Sequence, residues 1–200
     1  MSAEAAAEVF SGNMDVDEFM DFLETRPDEE HWELIEGVAV MMAPASPAHQ
    51  WIAYNFCNIL NSAFAARGLG LFACFDLGIR NIGLRNFQPE PDVVVLPGRP
   101  GFDSYSERYR LAAEILSPSN TRREIDLKLR RYGEAPDNLY GVVINPRDFW
   151  IEIRARSRNW QPVILTTADS AIEMPEFGLA CRVGDLYRGT PLDLQRRGEQ

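Results

Sequence analysis

The sequence is short of lysine, of cysteine and of long apolar runs, and each shortage excludes something. Lys128 is the only lysine, and every other basic residue that carries a fixed charge is arginine. Cys57, Cys74 and Cys181 are odd in number and far apart, with no Cys-x-x-Cys pair. That pattern argues against a disulfide framework and a cysteine zinc site, and the expected home is a reducing cytoplasm. No stretch approaches the roughly 18 consecutive apolar residues of a membrane span. Met1 to Phe10 carries acids and no base, unlike a secretory or transit leader. No internal repeat is visible.

Positive charge is also scarce in the first third of the chain. The net charge is -10. Residues 1–66 hold twelve acids against Arg26 alone, while residues 67–200 hold eighteen acids against nineteen basic residues. Between Arg122 and Arg158 nine basic residues face six acids. A strongly acidic chain counts against a polyanionic partner, but this distribution leaves the second part nearly neutral and therefore permits phosphate binding. An arginine-rich solvated face is the plainer reading of that stretch.

At 200 residues and 46% hydrophobic the chain is long enough for one sizeable core. Residues 1–13 read as a loose tail and residues 14–200 as a single domain. Asp15 to Thr25 reads as an amphipathic helix, with Asp15-x-x-Glu18 at its start and Val16, Phe19, Met20 and Leu23 on one face. His31 to Met42 reads as two strands joined by a turn at Glu36-Gly37. Glu33 lies in the first of them, where a solvent-facing acid is the plain reading. Ser46-Pro47 starts a helix that should reach Gly68. His49 lies in its first turn, where the positive helix end disfavours protonation and a histidine more often caps or packs than catalyses. Leu71 to Asn81 gives strand material, Gly98 to Ser106 an exposed loop, and Leu139 to Ile144 with Phe149 to Arg154 a hairpin. The last forty residues read as small strands and turns. The order suggests an α/β (α+β) fold in which a central mixed sheet is flanked by helices.

The stretch from Asp92 to Tyr132 carries the chemistry. Asp92 opens the run Val93-Val94-Val95-Leu96, and Glu114 sits inside Leu111-Ala112-Ala113-Glu114-Ile115-Leu116. Apolar runs of this length fit strands buried on both faces. A carboxylate there is costly unless a cation or hydrogen-bond partner compensates. Ser117-Pro118-Ser119-Asn120 breaks the strand, and Thr121 to Tyr132 reads as a helix with a Thr121-x-x-Glu124 capping box. Glu124, Lys128 and Tyr132 then share one stripe. Two acids and a lysine are what metal-dependent hydrolysis of a phosphodiester needs: oxygens for a hard cation and positive charge near the phosphoryl oxygens. The plain alternatives are that Asp92 caps a strand end and that Glu114 pairs with Arg122 or Arg123.

Glu33-Leu34-Ile35-Glu36-Gly37, Ser46-Pro47-Ala48-His49-Gln50, Gln88-Pro89-Glu90-Pro91-Asp92, Glu114-Ile115-Leu116-Ser117-Pro118-Ser119, then Lys128 and Tyr132, form an ordered series. In order and spacing it resembles the Uma-two family of restriction-endonuclease-like proteins, over roughly residues 15 to 155. That family looks like a branch of the PD-(D/E)xK nuclease superfamily. The resemblance implies a restriction-endonuclease-like core, with Asp92 as the acid of the first motif half, Glu114 as that of the second and Glu33 as an upstream acid near the metal. The simplest superfamily motif has its lysine two residues after the second acid, where this chain has Leu116. The resemblance implies that Lys128, on the next helix, replaces it. Glu124 stands where family members commonly carry Asp, and a longer carboxylate is still able to pair with Lys128. Asn145 likewise replaces a usual Asp and receives no catalytic role.

The expectation is a Mg²⁺- or Mn²⁺-dependent DNA endonuclease, acting as a homodimer. Asp92, Glu114 and Glu33 would hold the metal, Lys128 would position or help deprotonate the attacking water or stabilise charge, and Tyr132, Glu124 and His49 would support them. The alternative from another class is a catalytically silent nuclease-fold protein that works as a binding or regulatory module, motivated by the acidic first third. A nuclease acting on RNA is a third reading.

Overall fold

The computed structural model describes residues 9–10, 12–118 and 120–198. Of the tail expected over residues 1–13, Met1 to Glu8 and Ser11 lie outside the described residues, as does Ser119 of the strand-breaking segment. Val9–Phe10 forms a short strand, β1. Then follow α1 (Val16–Glu24), β2 (Trp32–Ile35), β3 (Val38–Met41) and α2 (Pro47–Arg67). The middle of the chain gives β4 (Leu71–Cys74), β5 (Gly78–Ile79), β6 (Val93–Pro97), β7 (Tyr105–Ser106), β8 (Leu111–Ile115) and α3 (Arg122–Glu134). The remainder gives β9 (Tyr140–Asn145), β10 (Trp150–Ala155), β11 (Pro162–Leu165), β12 (Ala171–Met174), β13 (Leu179–Arg182), α4 (Val183–Leu186) and α5 (Pro191–Arg197).

The centre is a six-stranded mixed sheet in the order β11-β10-β9-β8-β6-β4. Only β8 and β9 run parallel, and α3 is the helix that connects them. Neighbours on either side are antiparallel. Alternation along the strands assigns the two faces. Leu111, Ala113 and Ile115 of β8 pack with Ile52, Phe56 and Leu60 of α2. Ala112 of the same strand packs with Ile125, Leu129 and Tyr132 of α3. Glu114, two residues beyond Ala112, therefore points to the α3 side. That parity is what brings a strand carboxylate under a helix that carries a lysine.

A second unit holds Glu33 in place. Trp32 and Leu34 of β2 pack with Phe19 of α1, while Ile35 packs on the α3 side of the main sheet. Glu33 shares the parity of Ile35. The hairpin turn puts Glu36 at φ 50° and Gly37 at φ 81°, the paired left-handed conformation of a two-residue turn that matches strand twist. Leu34 exchanges two backbone hydrogen bonds with Gln88, at 3.0 and 2.8 Å, which ties β2 to the segment leading into β6. The Glu36 carboxylate takes two hydrogen bonds from Arg131 of α3, at 2.7 and 2.9 Å.

Two expectations are revised. The last forty residues contain the helices α4 and α5 as well as small strands; α4 is a single turn, too short for a 3.6-residue period to stand out. The loop expected over Gly98 to Ser106 contains β7, which pairs with β5 in parallel. Among the described residues no helix is long and apolar enough to cross a membrane.

The capping box read at the start of α3 is formed. Thr121 Oγ1 accepts from the Glu124 amide at 3.3 Å, and Glu124 Oε2 accepts from the Thr121 amide at 2.8 Å. Thr121→Ala should cost about 1 kcal/mol, read as a lower urea midpoint with an unchanged m-value. An unaltered midpoint would show that the cap contributes nothing to holding α3.

Candidate active site

Glu33 from β2, Glu114 from β8 and Lys128 from α3 meet in one buried cluster. Lys128 Nζ donates to Glu33 Oε1 at 2.7 Å and to Glu114 Oε2 at 3.0 Å. All three side chains are only 6 to 7% exposed. Tyr132, one turn after Lys128, donates its hydroxyl to Glu114 Oε1. Glu33 Oε1 also accepts the Glu90 amide at 2.9 Å. The solvent-facing reading of Glu33 is thereby overturned, as is the pairing of Glu114 with Arg122 or Arg123. Arg122 instead reaches Glu152 of β10 at 2.8 Å and its own helix neighbour Asp126.

Asp92, just before β6, adjoins this cluster. Its Oδ2 accepts the Ile115 amide at 2.6 Å, and its Oδ1 lies 2.7 Å from His49 Nε2. Asp92 therefore caps a neighbouring strand while facing the same cleft as Glu114. The α2 start that carries His49 is capped by Ser46, whose hydroxyl accepts the His49 amide at 3.2 Å. Burial works against charge on His49, but the hydrogen bond and negative charge of Asp92 outweigh it and raise its pKa. The helix-end effect anticipated for this residue is thus overridden by a contact 43 positions away. Glu124 lines the cleft, but its carboxylate is spent on the capping box, so Lys128 pairs with Glu33 and Glu114 rather than with Glu124.

These side chains line a cleft of about 530 Å³. Its wall comprises eight carboxylates, two histidines, Lys128 and no arginine. The lining acids not singled out from the sequence are Glu29 and Glu30, and also Asp76 and Glu90, whose pKa values are perturbed. Burial raises the pKa of both, and each is raised further by a neighbouring carboxylate, Asp92 for Asp76 and Glu33 for Glu90. Glu90 lay within the Pro89-Glu90-Pro91 segment, where its place beside Asp92 was a usable signal. Asp76 gave none: it sits in the β4–β5 connection with φ at 53°, and only the fold turns it to the cleft.

Burial likewise pushes Glu114 up to about 7, with Lys128 and Tyr132 acting against it and Glu33 and Asp92 adding to it. Burial disfavours charge on Lys128, yet the two carboxylates prevail and its pKa is raised. The ammonium is therefore a fixed positive charge. By donor type and charge the cluster fits a hard divalent cation, since carboxylate oxygens outnumber the positive charge available to neutralise them. By arrangement, those oxygens already have partners. Among the described residues, no group of three or more His, Cys, Asp or Glu side chains is assembled to hold a metal ion.

The Glu114 shift has a consequence for stability. Its carboxyl ordinarily titrates near 4.5 but keeps its proton in the fold up to about 7. Between those values the folded protein binds more protons than the unfolded chain, so stability falls as pH rises. The contribution is complete below about 4.5 and is lost as pH passes about 7. In metal-free buffer the difference in urea midpoint between wild type and Glu114→Gln should drift downward across that window. Parallel pH profiles for the two proteins would show that Glu114 does not titrate there.

No curated protein matches the chain. A solved structure described as "a putative nuclease belonging to DUF820 from Anabaena variabilis" superposes with a TM-score of 0.72 at 18% identity, covering 87% of this chain and 97% of that one. At that identity the likeness establishes the fold: a mixed α/β core shared with that protein. The model of the Uma2 family, described as "Putative restriction endonuclease", matches residues 16–184, which span every element from α1 into α4 and all the residues of the cluster. The chain belongs to the Uma2 family.

Proposed function

We propose that this protein is a divalent-metal-dependent endonuclease that hydrolyses phosphodiester bonds in DNA. The observation that carries the reading is the buried Lys128 ammonium between Glu33 and Glu114, on the floor of a cleft that Asp92 also faces. A structural core has no need of a charged triad from three separate elements, and replacing such a group by apolar residues is often neutral or stabilising. The family description and the nuclease named among the solved structures support the same chemistry.

Asp92 and Glu114 would hold Mg²⁺ or Mn²⁺, with the backbone carbonyl of Ile115 or Leu116 as a further oxygen and Glu33 ligating directly or through water. When bound, the cation supplies an activated water and charge stabilisation at the phosphoryl oxygens. Lys128, kept charged by its carboxylates, adds positive charge close to the scissile phosphate and orients the attacking water rather than removing its proton. Tyr132 fixes the rotamer of Glu114 through its hydroxyl. His49 does the same for Asp92. Cutting both strands calls for two copies of the site, so the active form is read as a homodimer.

One observation favours the second reading, a binding module that retains the fold without catalysis. The cleft wall has eight carboxylates against Lys128 and two histidines, which repels a polyanion unless cations intervene. The two readings part in a plasmid assay. Wild-type protein should nick supercoiled DNA in Mg²⁺ and lose activity in chelator. Asp92→Asn and Lys128→Ala, checked for folding by circular dichroism, should slow nicking by about 10²-fold or more. Wild-type protein that leaves duplex, single-stranded and RNA substrates intact at every divalent metal concentration would overturn the nuclease in favour of the module.

A further inference from the structure

The cluster bears on how the site takes up its cation, an inference that rests on the nuclease reading above. Lys128 bridges one oxygen from each of two carboxylates, at 2.7 and 3.0 Å. Three of the carboxylate oxygens show how unequally the site is held. Glu114 Oε1 is fixed by the hydroxyl of Tyr132, a fully buried residue whose ring contacts those of Phe87 and Tyr109. Glu33 Oε1 is fixed a second time by the Glu90 amide. Glu114 Oε2 is held by Lys128 alone among the described residues, and by the longer of the two bonds.

The helix that carries Lys128 is fastened at both ends. Its first turn is closed by the Thr121 and Glu124 capping box, and its last is clamped by the two hydrogen bonds between Arg131 and Glu36. The backbone at Lys128 is therefore not free to retreat. Its ammonium, on a four-carbon stem, can change partners without moving the helix.

We propose that Lys128 is a tethered placeholder cation: it neutralises the site before metal arrives and gives up Glu114 Oε2 when a divalent ion binds, while keeping Glu33. Two properties follow. Affinity for the metal is set by competition with a covalently attached charge, whose effective concentration is high. The competition also selects by charge, because a monovalent ion offers Glu114 no more than the ammonium already does. In this reading Glu33 also receives the displaced lysine through Oε1, and the lone lysine tunes metal uptake besides serving the reaction.

The scarcity of lysine makes the test direct, because protein labelled with ¹⁵N-lysine gives one side-chain ammonium signal, that of Lys128. The Nζ resonance should shift on titration with Mg²⁺ and stay put in K⁺ of equal ionic strength. Removing the competing charge should raise affinity, so Lys128→Met should bind Mn²⁺ at least about tenfold more tightly than wild type by calorimetry. If that variant fails to fold, the ¹⁵N titration of the wild-type protein decides alone. Mn²⁺ binding to wild type with an unmoved Nζ resonance and no gain in Lys128→Met would overturn the placeholder and leave the metal site standing. Absence of Mn²⁺ binding to either protein would overturn both.

Discussion

A single ammonium group shared by two carboxylates sets the terms for the rest of this molecule. Burial pushes the Glu114 carboxyl up even with Lys128 beside it, and removing one member of such a buried set typically costs about 3–5 kcal/mol. The cluster brings three elements together at one point. β2 belongs to the small α1-backed sheet, β8 to the main sheet and α3 to the layer above it. Their positions agree only if the β2–β3 hairpin docks against the segment leading into β6, which the Leu34 and Gln88 backbone bonds enforce. Arg131 repeats the arrangement one turn further along α3 by clamping Glu36 at the hairpin turn.

The same electrostatics separate this site from an ordinary salt bridge. Eight carboxylates share one cleft with a single lysine, and burial together with neighbouring carboxylates raises the pKa of Asp76, Glu90 and Glu114. Perturbed carboxylates gathered in one cleft are a mark of a functional site. The arginines lie elsewhere: several on α3, β10 and the turn after it pair with Asp126, Glu152 or backbone carbonyls and help hold that layer together. The cleft wall itself carries acid oxygens, two histidines and one lysine, and no arginine.

Much of this was legible in the sequence, for reasons that are local. The continuous apolar runs around Asp92 and Glu114, the turn at Glu36-Gly37, the helix starts at Asp15 and Thr121 and the sole lysine are all patterns within a few residues of each other. The structure also brings Lys128, from the helix after the Glu114 strand, to Glu114. What escaped depends on long-range geometry. Whether Glu33 faces solvent or cleft is fixed by the register of β2 against Gln88, which no local pattern encodes. The charge state of His49 follows from a carboxylate on another element, against the local helix-end effect. Glu124 was legible twice over, as a cap and as a lysine partner, and the shorter-range interaction won.

The central claim is that Asp92 and Glu114 grip a divalent ion together, beside an ammonium that is already in place. A crystal soaked in Mn²⁺ and measured at the manganese edge tests it most directly. The expected result is one anomalous peak within bonding distance of both carboxylates, with Lys128 turned toward Glu33. A well-ordered site with no peak there, or a peak that touches neither Asp92 nor Glu114, would contradict it.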